Sequence, residues 1–426
     1  MITLRELVKL AKEKSPFYAE LYKDISLSTD NLLECLPIIE QEKFWQANTI
    51  ANDRPNRLLT GPLTSGIIFK SGGTSGNPKF SIFTKKEWND FTSIFGRGMA
   101  RYNLSPDDKV ANLFYAGNLY ASFLFIMKSI EAMPFPVLNF PMAGNMPFEE
   151  VLSTICEFKI NVLAGVPTSL INLATVLQGN TRFQHASELI SKILFGGESL
   201  FPEQLAFLQK TFPGARINSI GYASVDGGHL GFFDQQCKNN EHKVFSESIM
   251  EIIDENGKVI ERPYEKGRAI YTNLSRVLMP IIRYPVGDCA MWTEEASGQK
   301  KERKFQLLGR SEEGARIGPV TINRDDIAEI LRNFKFKEKI ANFQIVIDRR
   351  AGLDVLILNF AISDYSIDKN SFISEFKKIF YLERPMYLNE VEKKNIAHLE
   401  IEFVNPENLT VNQRTGKVKL VVDRRF

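Results

Sequence analysis

Cysteine, histidine and tryptophan are scarce in this chain, with four, four and three copies in 426 residues. The cysteines, Cys35, Cys156, Cys237 and Cys289, are scattered and form no Cys-x-x-Cys pair, which argues against a disulfide framework and suits a reducing cytoplasm. An excess of one charge is also lacking: 53 basic residues face 51 acidic ones for a net +2, leaving no electrostatic footprint for nucleic acid or an anionic membrane. Long apolar runs are missing too. The richest stretch, 111–140, is broken by Asn118, Lys128, Glu131 and two prolines, so it reads as buried structure rather than a membrane span. The opening residues, Met1 to Leu7, carry charge where a secretory signal needs an apolar core. There is no internal repeat and no low-complexity segment.

What remains is an ordinary globular composition, 44% hydrophobic and 24% charged, in a chain long enough for two or more domains. Its most informative stretch is Phe69 to Lys79. There Ser71, Gly72, Gly73, Thr74, Ser75 and Gly76 combine permissive backbone with hydroxyl donors, and Lys79 adds a point charge. Such a loop suits phosphate. It is not a Walker loop, because no Gly-Lys-Ser/Thr follows the first glycine at the required spacing.

Helical periodicity over residues 3–14 predicts an amphipathic surface helix. Phe80 to Phe83 reads as the second strand of a hairpin and Lys85 to Tyr102 as a helix. Strands at Val110–Tyr115, Pro136–Phe140, Asn161–Gly165, Lys192–Phe195 and Arg216–Ile220 then alternate with helices, the first of them Leu119–Ala132. That alternation predicts crossover units around a largely parallel sheet, with ligands at the carboxyl ends of its strands. The loops to inspect follow Phe114, Phe195 and Ile220. The second begins Gly196, Gly197, Glu198, and the third reads Gly221, Tyr222, Ala223, Ser224, Val225, Asp226.

The run Thr74 to Lys79 resembles the nucleotide loop of the adenylate-forming, or acyl-CoA synthetase, superfamily. Further motifs follow in the family's order: Gly196 to Glu198; Tyr222 to Asp226; Ile282 to Asp288; Gly309-Arg310; and Gly416-Lys417 near the end. The entry segments Ser15 to Tyr18 and Leu36 to Glu40 are similar to those of phenylacetate-CoA ligase-like members. The resemblance implies an α/β fold: a large multi-layer amino-terminal domain, 1–309, with largely parallel sheets, and a small mobile α+β carboxy-terminal domain, 310–426. By the same resemblance, Thr74, Ser75 and Lys79 cradle pyrophosphate and Tyr222 stacks on adenine near Gly196 and Gly197. Asp226 holds magnesium, Asp288 and Arg310 fix the ribose, and Lys417 bridges the carboxylate and the α-phosphate.

The chain departs from the family pattern at several points. Val225 lacks the usual hydroxyl, which leaves Ser224 to supply it, and Asp226 stands for glutamate on a shorter arm. Gly314-Ala315-Arg316-Ile317 has the letters of the family's thiol-side glycine loop but comes early, whereas Gly318 sits nearer the right place without the arginine. Tyr115, Asn118, Tyr120, Phe123 and Gly221 are candidates to line an acyl pocket whose rings suit an aryl or heteroaryl acid, and the same rings suit a plain core. Cys237 and His242 offer two ligands of a zinc site, too few without partners, and otherwise read as solvent-facing.

The implied reaction is ATP-dependent, AMP-forming activation of a carboxylic acid, with ATP and Mg2+ and then transfer to CoA. A non-CoA acceptor (an amine, a carrier thiol or an enzyme cysteine) is a second reading, and a degenerate binding protein without turnover is a third. Nucleic acid and membrane are not expected partners; a homodimer is an open option.

Overall fold

The computed structural model describes the chain outside residues 1, 51–55, 72–78, 145, 199, 201, 239, 297–301, 311–313, 363–366, 406–407, 411–418, 420 and 426. The chain divides into two compact units, with the change falling between Leu308 and Gly309.

Four helices open the first unit: α1 (Leu4–Lys14), α2 (Pro16–Leu21), α3 (Leu32–Cys35) and α4 (Gln41–Gln46). Thr3 starts α1 with a capping box, its hydroxyl accepting the Glu6 amide while the Glu6 carboxylate accepts the Thr3 amide. Leu7, Val8 and Ala11 form the buried stripe expected from the periodicity, in one core with Tyr18, Phe44 and Tyr284. Strands β1 (Ile67–Ser71) and β2 (Lys79–Phe83) pair antiparallel with Ser71 opposite Lys79, so the expected hairpin is present. Helix α5 (Lys85–Ala100) follows, again opened by a capping box, from Thr84 and Glu87.

The alternating stretch runs β3 (Lys109–Asn112), α6 (Ser122–Glu131), β4 (Leu138–Pro141), α7 (Phe148–Phe158), β5 (Val162–Gly165), α8 (Pro167–Gly179), α9 (Ala186–Leu189), β6 (Lys192–Phe195), α10 (Pro202–Thr211) and β7 (Arg216–Ser219). These five strands form the expected parallel sheet in the order β4-β3-β5-β6-β7. From β3 the chain goes to one side and then back past it to the other, so the loops after β3 and β5 diverge at a topological switch point. Helix α6 begins three residues later than its periodicity predicts. Gly117, Asn118 and Leu119 have φ of +108°, +49° and +62°, left-handed values that no α-helix continues.

A second sheet was not visible in the alternation. Strands β8 (Tyr222–Ser224), β9 (Gly228–Phe232), β10 (Glu241–Val244), β11 (Ser248–Ile253), β12 (Gly267–Asn273), β13 (Ile281–Trp292) and β14 (Lys304–Arg310) make seven strands in the order β11-β12-β13-β14-β10-β9-β8. Its described pairings are antiparallel. Within the first unit, the described parallel pairings therefore belong to the five-stranded sheet.

The second unit holds a hairpin, β15 (Gly314–Ile317) and β16 (Val320–Asn323), then α11 (Arg324–Arg332), β17 (Ile340–Arg350), β18 (Leu353–Ile362), α12 (Lys369–Glu383), α13 (Pro385–Glu392), β19 (Glu400–Val404) and β20 (Val421–Asp423). Its four-stranded sheet has the order β19-β18-β17-β20. Phe334, Phe360, Phe372 and Phe376 meet edge-on and stacked in its core. Gly314 to Ile317, the early glycine-loop register, is a hairpin strand whose Ala315 and Ile317 are wholly buried there, and Gly318 takes the turn at φ +52°.

Candidate functional site

The first-unit site is built where the β1–β2 hairpin meets the loop from β8 to β9. Ser71 Oγ donates to Asp226 Oδ1 at 2.6 Å, and the buried Ser81 Oγ donates to the same oxygen at 3.1 Å. Tyr284 Oη donates to Asp226 Oδ2 at 3.3 Å and accepts from Trp45 Nε1 at 3.0 Å. An ionised carboxylate only accepts, so all three hydroxyls turn their hydrogens toward Asp226. Under the hairpin, Arg276 is 1% exposed; its Nη2 donates to the Ile82 carbonyl at 2.9 Å and its guanidinium lies 3.8 Å above the Phe83 ring. Burial pulls Arg276 down to about 10 while the Glu87 and Asp226 charges oppose that pull, so it remains a cation at neutral pH.

Tyr222 Oη donates to Asp288 Oδ2, and its ring meets those of Tyr271, Phe305 and His242. Two segments thus exchange partners. One carries Tyr222 and Asp226 and the other Tyr284 and Asp288, each pair four residues apart, and each tyrosine donates to the aspartate of the other segment.

Lys79 Nζ donates to Gln41 Oε1 at 2.9 Å and stands 5.6 Å from the centre of the Trp45 ring. Gly72, Gly73, Thr74, Ser75 and Gly76 lie outside the described residues, as does Lys417; Arg310 is described only as the last backbone residue of β14.

Among the flanking loops, Gly197 has φ +81°, and a Cβ on Gly196 would sit 2.7 Å from Ile220 Cγ2. Gly221, at φ +129°, would press a Cβ to 2.7 Å from the Phe95 ring, so side chains are excluded at both closest approaches. Glu198 Oε2 accepts from the Thr168 amide and hydroxyl at 3.1 and 2.7 Å, which ties that loop to the start of α8. Ser224 Oγ accepts the Gly227 amide at 2.8 Å and closes the turn before β9, while Ala223 is a β8 residue opposite His229.

At the switch point, Tyr115, Asn118 and Tyr120 lie on the loop after β3, with Tyr115 and Tyr120 edge-to-face at 5.4 Å. Tyr115 is 47% exposed, and Phe123 packs on the aromatic core of α5 and α6. The Lys70 amide donates to the Leu119 carbonyl at 2.9 Å, so this loop abuts the hairpin.

Cys237 and His242 are buried rather than solvent-facing. The thiol meets Asp234 at 3.6 Å and burial pushes it up to about 12; His242 Nε2 lies 2.8 Å from Ser219 Oγ. Among the described residues no cluster of three or more histidine, cysteine or acidic side chains has metal-binding geometry. Sequence reasoning also missed Gln41, Trp45, Ser81 and Arg276, which belong to no motif, and gave Tyr284 no role although it lies within one. A tyrosine four residues before each motif aspartate was the available signal.

No protein-family model matches the chain. It is 24% identical to a phenylacetate-coenzyme A ligase of Thermus thermophilus over 370 residues, covering 85% of this chain and 80% of that protein. It is 27% identical to the indoleacetate–lysine synthetase of Pseudomonas savastanoi over 287 residues, covering 64% and 65%. Among solved structures, 2-hydroxyisobutyryl-CoA ligase in complex with 2-HIB-AMP and CoA superimposes with a TM-score of 0.75 at 18% identity, covering 99% of this chain and 88% of that one. That likeness concerns the fold.

Proposed function

We infer that this chain, a relative of the phenylacetate-CoA ligases with the fold of the adenylate-forming superfamily, is an ATP-dependent, AMP-forming enzyme that activates a carboxylic acid. The observation that carries the reading is the reciprocal pairing of Tyr222 with Asp288 and of Tyr284 with Asp226. It brings together two motifs distant in sequence, and Ser71 adds the hairpin as a third.

A carboxylate is a poor electrophile, so it needs a better leaving group. One carboxylate oxygen attacks the α-phosphorus of ATP, the bond to the bridging oxygen breaks, and pyrophosphate leaves with the electron pair, giving acyl-adenylate. Charge builds on the phosphoryl oxygens and on the attacking and leaving atoms, so fixed cations and donors held in line supply the stabilisation. Lys79 and the Ser71 to Lys79 loop hold the β- and γ-phosphates, Asp288 accepts the ribose hydroxyls side by side, and Tyr222 presents its ring to adenine. The family resemblance assigns Arg310 to the ribose and Lys417 to the carboxylate and the α-phosphate. Asp226 offers the hard oxygen that magnesium prefers, in keeping with an ion held by one or two carboxylates plus substrate phosphates. When bound, such an ion neutralises charge on the departing pyrophosphate.

In the second step a CoA thiolate attacks the acyl carbonyl and AMP leaves. The chain's similarity to indoleacetate–lysine synthetase favours one alternative acceptor, an amine. The exposed ring of Tyr115, edge-on to the half-buried Tyr120 beside the switch point, supports an aryl or heteroaryl acid. The test is carboxylate-dependent ATP–pyrophosphate exchange over a panel of acids. Exchange followed by CoA-thioester formation is the expected result; exchange without CoA consumption redirects the acceptor to an amine or protein thiol. ATP binding without exchange for any acid overturns the enzyme reading.

A further inference from the structure

Helix α4 carries none of the motif residues, yet two of its side chains reach the charged groups of the site. Gln41 engages both ends of its amide. Oε1 accepts from Lys79 Nζ at 2.9 Å, and Nε2 donates to the carbonyl of Pro285, the residue between Tyr284 and Val286 on β13. The orientation of the amide is fixed by chemistry, because an ammonium has only hydrogens to offer and a carbonyl only lone pairs. Trp45, one turn along α4, places its ring 5.6 Å from the same ammonium and is itself held by the Tyr284 hydroxyl.

Building on the adenylation reading above, we propose that Gln41 is a positioning residue for the nucleotide phosphates: it holds the Lys79 ammonium in place through an uncharged acceptor. The physical argument turns on which acceptor is used. A lysine has a flexible four-carbon stem rich in rotamers, and fixing its head before ATP arrives removes much of that entropic cost from binding. A carboxylate at Gln41 would fix it equally well but would place a negative charge against it, cancelling the field meant for the phosphates. A hydrocarbon would leave the charge intact but remove this acceptor from the head. The amide does both jobs, and its second hydrogen bond registers Lys79 against β13, the strand that carries Tyr284 and Asp288.

The experiment compares Gln41→Glu and Gln41→Leu with the wild-type protein by equilibrium binding of MgATP and of AMP, with thermal midpoints recorded alongside. Gln41→Glu is isosteric; it converts the contact with Lys79 into an ion pair but gives up the hydrogen bond to the Pro285 carbonyl, so a purely structural role predicts a shifted thermal midpoint with MgATP and AMP binding changed alike or not at all. The positioning role predicts that MgATP binding weakens about tenfold or more, while AMP, which lacks the β- and γ-phosphates, changes by less than about twofold. Gln41→Leu should fall between the two and raise KM for ATP more than it lowers kcat. In a Lys79→Ala background Gln41→Glu should have no further effect. Wild-type MgATP affinity in Gln41→Glu, or equal losses for MgATP and AMP, overturns the proposal. Failure of the wild-type protein to bind MgATP instead overturns the adenylation reading beneath it.

Discussion

Tyr222 donates its phenolic hydrogen to Asp288, across 66 residues of sequence, while four residues beyond Tyr222 the carboxylate of Asp226 accepts the hydroxyl of Tyr284. The two aspartates are thus oriented by each other's segment. A change at either tyrosine acts on a carboxylate that belongs, in sequence, to the other motif.

Asp288→Asn should raise KM for ATP by about tenfold to a hundredfold, because hydrogen bonds to a charged acceptor contribute about 1.5–3 kcal/mol. It should also erase the preference for ATP over 2′-deoxy-ATP in pyrophosphate exchange. A retained preference would remove Asp288 from the ribose.

Lys417→Ala should abolish adenylation and leave turnover of supplied acyl-adenylate largely intact, since a charge between the carboxylate and the α-phosphate has no task once that bond is made. The two half-reactions are assayed separately. Equal loss of both would count against the role.

Arg283 and Glu251 form a bidentate ion pair, at 2.8 and 3.0 Å, with both side chains 7% exposed. Removing one partner strands the other in the core, and Arg283→Met or Glu251→Leu alone should cost about 3–5 kcal/mol. The double substitution should recover most of that loss. Urea midpoints of the four proteins check the cycle.

His229 and His242 are fully buried, and burial pulls both down to about 4 from an ordinary value of 6.5. Between those values the unfolded chain binds protons that the folded chain refuses. Their contribution is therefore complete above about pH 6.5 and is lost as pH falls toward 4, on the order of 3 kcal/mol for each. His229→Phe should flatten this acid limb by about half, seen as a smaller drop in urea midpoint between pH 7 and pH 4.5. An unchanged slope would mean that His229 does not titrate on unfolding.

The alternating half of the chain was legible because each crossover helix pairs an apolar stripe with a short apolar strand, as Val162 to Gly165 does with α8. The hairpin at Ser71 and Lys79 and the order of the motifs were legible for the same local reason. The seven-stranded sheet was not. Its inward positions include polar groups such as Lys243 and Glu251, whose partners Asp234 and Arg283 come together only in three dimensions, so the two-residue alternation is blurred. Cys237 and His242 were misplaced in solvent because polarity alone cannot reveal Asp234 or Ser219 waiting inside. Asn118 and Leu119 delayed α6 by adopting left-handed backbone that no single residue type announces.

The seat of Trp45 has an optical consequence. Trp88 is packed among Phe69, Phe83 and Phe91, and Trp292 lies beneath Arg303, both remote from Lys79 in their contacts. Trp45 shares its hydrogen with a site phenol and its face with the site ammonium. If bound phosphates draw that ammonium away, the electric field across a single indole changes, and the emission of the unlabelled protein should then report nucleotide binding.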